Sequence, residues 1–435
     1  MIFSNYHTVA LTPLRKQALL IADAGLEAIA TERAVAAHFQ YDEGSKVLKI
    51  RGQKFDTAGY KRVIVVGFGK AALQAATAIQ KILGERISCG FVIDVVKGSD
   101  ENIAAVGSSN IVCRVGTHPY PTVVNVSATK ELVAMLEQSS ADDLVICVIS
   151  GGGSSLLCYP SDISCDDERG IINSLTESGA SIQELNTVRK HISKVKGGNL
   201  AKICYPATVI SLIFSDVPGD ELGMVASGPT VKDETTLRDA AAVLQKYNVL
   251  DRCKLPSCEL VETPKEDKYF ENVHNVLFVS SADALAAMQK KADDLGFGVT
   301  VWNRAFQGEA AVLGPEITAA LRPGTCLLGA GESTVSLGAG HGEGGRNQEM
   351  ALAALARIKD NQILLAVASD GRDYTEAAGA IADAEVLQQA QKLGLDPEQY
   401  LARHDSFNFF CEVNGLLQTG DTGSNISDFF VGLSL

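Results

Sequence analysis

Arg62-Val-Ile-Val-Val-Gly-Phe-Gly-Lys-Ala-Ala-Leu73 is the stretch that decides the fold. A short run of β-branched residues ends in glycine, and alanine-rich helical sequence follows from Ala71 to Leu83. That order reads as strand, glycine turn, helix. Glycine at the first and third positions with alanine at the sixth matches a relaxed dinucleotide fingerprint, in which Gly67 and Gly69 bring backbone close to phosphate. It is not a Walker A loop, because alanine and not Ser or Thr follows Lys70. A cation here opposes the helix macrodipole by about 0.3–1 kcal/mol, so Lys70 implies a neighbouring anion.

The pattern repeats outward from this unit. Gly90 to Val96, Leu144 to Ile149 and Thr208 to Phe214 read as further strands, and Ser127 to Gln138 as a helix. Unbroken apolar strands alternating with helices imply an α/β fold, with a parallel sheet covered by helices on both faces. Upstream, Thr12-Pro13 caps an amphipathic helix carrying Leu14, Ala18, Ile21 and Ala28, and a polar, turn-rich stretch follows it. Between Asp251 and Asn275 the periodicity lapses into charge and proline, including Pro256 and Pro264, which marks a linker or surface excursion. Val276 to Val279, Val299 to Trp302, Thr325 to Leu328 and Ile363 to Val367 are strands beyond it, with helices over Ala282 to Leu295 and Glu349 to Ile358. The expected division is a Rossmann-like domain over 1–258 and a C-terminal α/β domain with a mixed sheet over 259–435.

Composition narrows the function. The 435 residues are 46% hydrophobic and carry a net charge of −14, which disfavours nucleic acid and anionic membrane as partners. No apolar run approaches the roughly 18 residues of a membrane helix, and the N-terminus builds no signal core, so a cytoplasmic protein is expected. The ten cysteines contain no CxxC pair and read as reduced thiols.

Several segments suit anions or a hard metal. Ser150-Gly-Gly-Gly-Ser-Ser155 directly follows a strand, and Gly151, Gly152 and Gly153 expose amides as a phosphate or carboxylate cradle does; Ser154 and Ser155 lack the GxSxG elbow of a nucleophile. Leu185 to Gly198 is helical by period, placing Asn186, Arg189, Ser193 and Lys196 on one face and Lys190 and Lys194 beside it as a basic wall. Asp216 and Asp220 flank a Pro-Gly turn, a pairing suited to Mg²⁺. Arg346 opens a helix behind glycines and offers a planar fork to an anion, and Asp370 and Asp373 follow a strand as bases or metal ligands.

Taken together, GFGKAA at 67–72, HPYP at 118–121, SGGGSSLL at 150–157, NTVRKHISKVKGG at 186–198, SDVPGDELGMVASGPT at 215–230, GEST at 331–334, GGRNQE at 344–349, SDGRD at 369–373 and TGDTGSN at 419–425 resemble the glycerate 2-kinases. These are ATP-dependent enzymes with a Rossmann-like N-terminal domain and a C-terminal domain known as MOFRL. The resemblance implies transfer of the ATP γ-phosphoryl group to the 2-hydroxyl of D-glycerate with Mg²⁺, in a cleft between the domains. Lys70 and Arg346 are then the functional cations, with Asp370 or Asp373 taking the hydroxyl proton. Asn186, Arg189, Lys196, Asn347 and Asn425, from the same motifs, join Gly67, Gly69 and Ser150 to Ser155 as binding residues, and Asp216 or Asp220 holds the metal. Two positions depart from the family pattern: Tyr374 stands where a glycine-proline pair usually begins, and Asp421 replaces a proline. A homodimer stays open. The competing reading is an NAD(P)H-dependent hydroxypyruvate reductase using the first glycine loop, for which Asp94 is the nearest candidate ribose ligand.

Overall fold

The computed structural model describes all residues except 96–109, 218, 256–257 and 339. Val96, Pro218 and Pro256, named above, lie outside the described residues. The chain forms two compact units, one of Ala34–Val279 and one that joins Met1–Arg33 to Ser280–Leu435. We call them the Rossmann unit and the terminal unit.

The Rossmann unit opens with a three-stranded antiparallel sheet, β1 (Phe39–Asp42), β2 (Val47–Ile50) and β3 (Gln53–Asp56), in the stretch read as polar turns. The strands are only four residues long and face solvent on alternate positions, so their apolar signal is short. Six parallel strands follow: β4 (Arg62–Phe68), β5 (Ile87–Asp94), β6 (Ile111–Val115), β7 (Asp143–Ile149), β8 (Thr208–Phe214) and β9 (Val273–Val279). Their spatial order is β6-β5-β4-β7-β8-β9. This is the doubly wound arrangement, and strand order reverses between β4 and β7. Ile64, Val66 and Phe68 join a core with Ala128, Leu132 and Leu136 of the helix Val123–Leu136. Val63 and Val65, pointing the other way, are equally buried, so both faces of the sheet are covered.

The terminal unit holds a mixed sheet: β10 (Gly298–Glu309), β11 (Thr325–Thr334), β12 (Gln362–Ala368), β13 (Gly379–Asp383), β14 (Leu416–Leu417) and β15 (Asp428–Ser434), in the order β10-β11-β15-β12-β13-β14. Only β10 and β11 pair in parallel; the remaining neighbours are antiparallel.

Two expectations about organisation are corrected. The boundary at 258/259 gives way to junctions at Arg33/Ala34 and Val279/Ser280, because the first long helix, Pro13–Ile29, buries its apolar stripe in the terminal unit. It packs on the helix Ser281–Asp294 so closely that a β-carbon on Gly25 would stand 2.5 Å from Met288 Cγ. Arg15, 1% exposed, donates to both carboxylate oxygens of Asp383 at 2.6 and 2.7 Å. The segment 251–275 is not a linker either. Val261 N–H donates to His191 O, and buried Thr263 and Lys265 both donate to Asp233, strapping it to its own unit.

Candidate active site

Loops leaving the carboxyl ends of β4 and β7 meet where strand order reverses, the usual ligand position in such sheets. They interlock. Gly69 adopts φ +119°, and a β-carbon there would lie 2.2 Å from Ser150 Oγ. Lys70 N–H donates to Gly151 O (2.9 Å) and Ala71 N–H to Ser150 Oγ (3.1 Å). Gly69 N–H donates to Ile93 O, Ala72 N–H to Gly69 O, and Leu73 N–H to Asp94 Oδ2 (2.9 Å). Every amide from Gly69 to Leu73 is therefore claimed by protein, and Asp94, 4% exposed, fills the helix N-terminus where a pyrophosphate would sit. Gly69 serves close packing of the two loops, and Gly67 the close approach of β4 to Val148 of β7 and to Ala72.

The second loop differs. Gly153 N–H returns to Ser150 O, whereas no described residue accepts from the amides of Gly151 and Gly152. Gly152, at φ +79°, would set a β-carbon 3.0 Å from the His118 ring and 3.3 Å from Lys70 Cγ, so both side chains lie against it. The Lys70 side chain forms no hydrogen bond or ion pair among the described residues. Both serine hydroxyls are occupied: Ser155 Oγ donates to Pro119 O (2.6 Å), and Ser154 Oγ meets Ser227 Oγ at 3.1 Å. Ser227 Oγ donates in turn to Asn186 Oδ1 at 2.8 Å, so Ser154 is the donor in that pair and the helix Ile182–His191 is tied to the loop. Ala226 and Ser227 both hold positive φ (50° and 61°), backbone strain kept where the loop must be fixed. Ser227 was missed in the sequence, where only its place in SGPT marked it.

The basic wall does not form as expected. The helix ends at His191, so Lys196 lies in the turn beyond it. Lys196 is 1% exposed and pairs with buried Glu168 at 2.7 Å; Lys190 pairs with Asp233 at 2.9 Å. Arg189 remains. Its half-buried guanidinium makes no hydrogen bond or ion pair among the described residues, and burial lowers its pKa against the opposing charge of Glu168. A desolvated cation without a partner is poised for an anion.

Asp216 and Asp220 follow β8, the neighbour of β7, with Asp220 in a left-handed conformation (φ +54°). No cluster of three His, Cys, Asp or Glu suited to a metal occurs among the described residues. Two carboxylates alone match a cation that takes its remaining oxygens from water and phosphate, which is the habit of Mg²⁺.

In the terminal unit, Arg346 begins the helix Arg346–Ala354 and forks between two carboxylates that sequence reading passed over, Asp428 through Nε and Glu332 through Nη2 at 2.9 Å. Burial disfavours its charge, but those carboxylates outweigh burial and raise its pKa. Burial pushes Asp428 up to about 7, against the pull of Arg346. Asp373 is fully buried and accepts from the backbone and side-chain nitrogens of Asn347 (both 3.1 Å) and Gln348 (2.8 and 3.1 Å). It caps that helix, and Asn347 serves the cap. Burial raises the Asp373 pKa despite these donors. Asp370 is half-exposed, its Oδ1 accepting from Arg372 N–H at 3.0 Å, and Asn425 lies half-exposed in the loop before β15.

A domain of unknown function, DUF4147, matches residues 17–261, and the MOFRL family matches 325–428. The chain is 37% identical to a glycerate 2-kinase of Pyrococcus horikoshii over 88% of its length and 89% of that protein, and 33% identical to a D-glycerate 2-kinase of Thermotoga maritima over 97% and 98%. It belongs to the glycerate 2-kinase family. A crystal structure of glycerate kinase from Thermotoga maritima superposes with a TM-score of 0.82 at 33% identity, covering 97% of this chain and 99% of that one. One relative in Agrobacterium vitis, 36% identical over 84% of this chain and 86% of its own, is named a putative hydroxypyruvate reductase.

Proposed function

We propose that this protein is a glycerate 2-kinase, moving the γ-phosphoryl group of ATP to the 2-hydroxyl of D-glycerate to give 2-phospho-D-glycerate and ADP. The carrying observation is the contrast between the two glycine loops. The dinucleotide-like loop has no amide to offer, and its candidate ribose ligand, Asp94, caps a helix. Among the described residues the Gly151 and Gly152 amides have no acceptor, and Lys70, which lies against Gly152, has no partner. That arrangement supports phosphoryl handling and argues against the reductase.

Phosphoryl transfer needs alignment and charge neutralisation more than covalent work. The Gly151 and Gly152 amides, with Lys70, hold phosphate oxygens. Arg189 neutralises a second anionic group, and Asn186 with Ser227 keeps the loop rigid. Arg346, fixed in orientation by Asp428 and Glu332, steadies the glycerate carboxylate or the charge of the transition state. Asp370 takes the 2-hydroxyl proton, since Asp373 already accepts four hydrogen bonds. Mg²⁺, when bound through Asp216 and Asp220, would supply charge neutralisation on the phosphates. The ten thiols are all free, as a reducing cytoplasm keeps them.

The test is ADP formation with D-glycerate, ATP and Mg²⁺, coupled to enolase, which accepts only the 2-phosphate. Glycerate-dependent ADP with immediate enolase signal is expected. ADP without that signal would mean another hydroxyl or substrate, and NADH oxidation by hydroxypyruvate without ADP would overturn the proposal.

A further inference from the structure

The terminal unit contains a cavity of about 700 Å³ that opens beside Arg346. We propose that it receives the nucleoside, base and ribose together, of the phosphoryl donor; the assignment rests on the kinase reading above. Four observations made on this unit alone point the same way.

Size comes first. A three-carbon hydroxy acid would leave most of such a volume empty, whereas a nucleoside falls within the range that cavities of this size hold. Charge comes second. Glu343, Glu349 and Glu376 line the cavity, and its Arg346 is already engaged by Asp428 and Glu332. Beyond Arg346, which serves the glycerate carboxylate or the transition-state charge, these three carboxylates disfavour an anion inside the cavity and suit neutral groups that donate hydrogen bonds, such as a base amino group or ribose hydroxyls.

The third observation is a polar atom left without a partner. Ser333, 2% exposed, lines the cavity, and its buried Oγ has no hydrogen-bond partner among the described residues. A buried hydroxyl left alone is costly, and a polar ligand would satisfy it. The fourth is Tyr374. Its ring lines the cavity while 81% exposed, and its backbone is left-handed at φ +58°, a conformation a bulky side chain rarely holds. A large aromatic kept both exposed and strained at the rim of a cavity suits stacking on a planar base. Phe407 supplies a further aromatic wall, and the Glu349–His404 hydrogen bond (2.8 Å) fixes the polar side.

Tyr374→Gly is the discriminating variant, because glycine relieves the backbone while removing the ring, so the melting temperature should hold or rise. The KM for ATP should increase about tenfold, the scale of one lost base stack, with the KM for D-glycerate within about twofold of the parent. Phe407→Ala should move the same constant. Calorimetric titration of the whole protein with adenosine, which lacks phosphate, should show binding that ATP displaces and that Tyr374→Gly weakens. Absence of adenosine binding, or a rise in the glycerate KM with that for ATP unchanged, would overturn the assignment. If the parent forms no ADP from glycerate, the kinase reading fails separately, and the adenosine titration still decides what the cavity holds.

Discussion

Replacing Lys196 with methionine separates a structural lysine from a substrate-binding one. The side chain is 1% exposed, its Nζ lies 2.7 Å from Glu168 Oε1, and Glu168 is itself 4% exposed with a further hydrogen bond from Cys158 Sγ at 3.3 Å. Methionine fills similar volume, so the main effect is an uncompensated buried carboxylate, worth about 3–5 kcal/mol. At about 2–4 °C per kcal/mol for a unit of this size, calorimetry should record a fall in Tm of roughly 10 °C. The double variant Lys196→Met, Glu168→Leu removes both charges and should regain most of the loss, since apolar replacement of a buried pair is often neutral. No hydrogen bond joins Arg189 to Glu168, so Arg189 keeps its place in the double variant. If Lys196 is structural, kcat measured below the transition recovers along with Tm. A single variant that melts with the parent, or a double variant that regains stability while activity stays lost, would refute the reasoning and return Lys196 to the substrate.

Lys70→Ala should leave Tm unchanged, because the side chain has no partner among the described residues, while kcat falls about 100-fold, the scale for losing one positioned donor; near-normal turnover in steady-state assays would exclude the role. Arg346→Ala should lower kcat similarly and also lower Tm, since Asp428 is left buried without its partner. Asp370→Asn should reduce kcat with the fold intact, whereas Asp373→Asn should lower Tm by disturbing a fully buried helix cap; the opposite pattern in paired melting and kinetic measurements would exchange their roles. Asp428 titrates near 7 in the folded protein against about 3.9 unfolded. Its stabilising contribution is thus full below about pH 4 and is lost as pH rises through about 7, and urea denaturation should show that slope flattened in Asp428→Asn.

Much of this protein is written in its sequence. The β-branched runs that end at Phe68, Ile149 and Phe214 locate the central strands, because a strand buried on both faces can hold little else. The glycines after them locate the loops, since backbone at φ +119° and +79° in tight contact excludes side chains. The short strands of the first sheet were not legible, because four residues carry too little periodicity to stand out from turns.

Sequence singled out the segments suited to anions and metal; tertiary structure decided which groups within them already have protein partners. Nothing in GFGKAA announces that its loop amides are consumed by Ile93, Gly151, Ser150 and Gly69, or that those of Gly151 and Gly152 find no acceptor among the described residues. Lys190, Lys196 and Arg189 look alike in a basic run, yet the two lysines are neutralised by Asp233 and Glu168, brought in from other parts of the chain, and Arg189 has no hydrogen bond or ion pair among the described residues. Likewise the first long helix leaves its sequence neighbours, because its apolar stripe finds cover on the helix Ser281–Asp294 and Arg15 finds its counter-charge in Asp383, 368 positions away. Hydrogen bonding and charge pairing are satisfied by whatever the fold brings near, and spacing along the chain does not fix that.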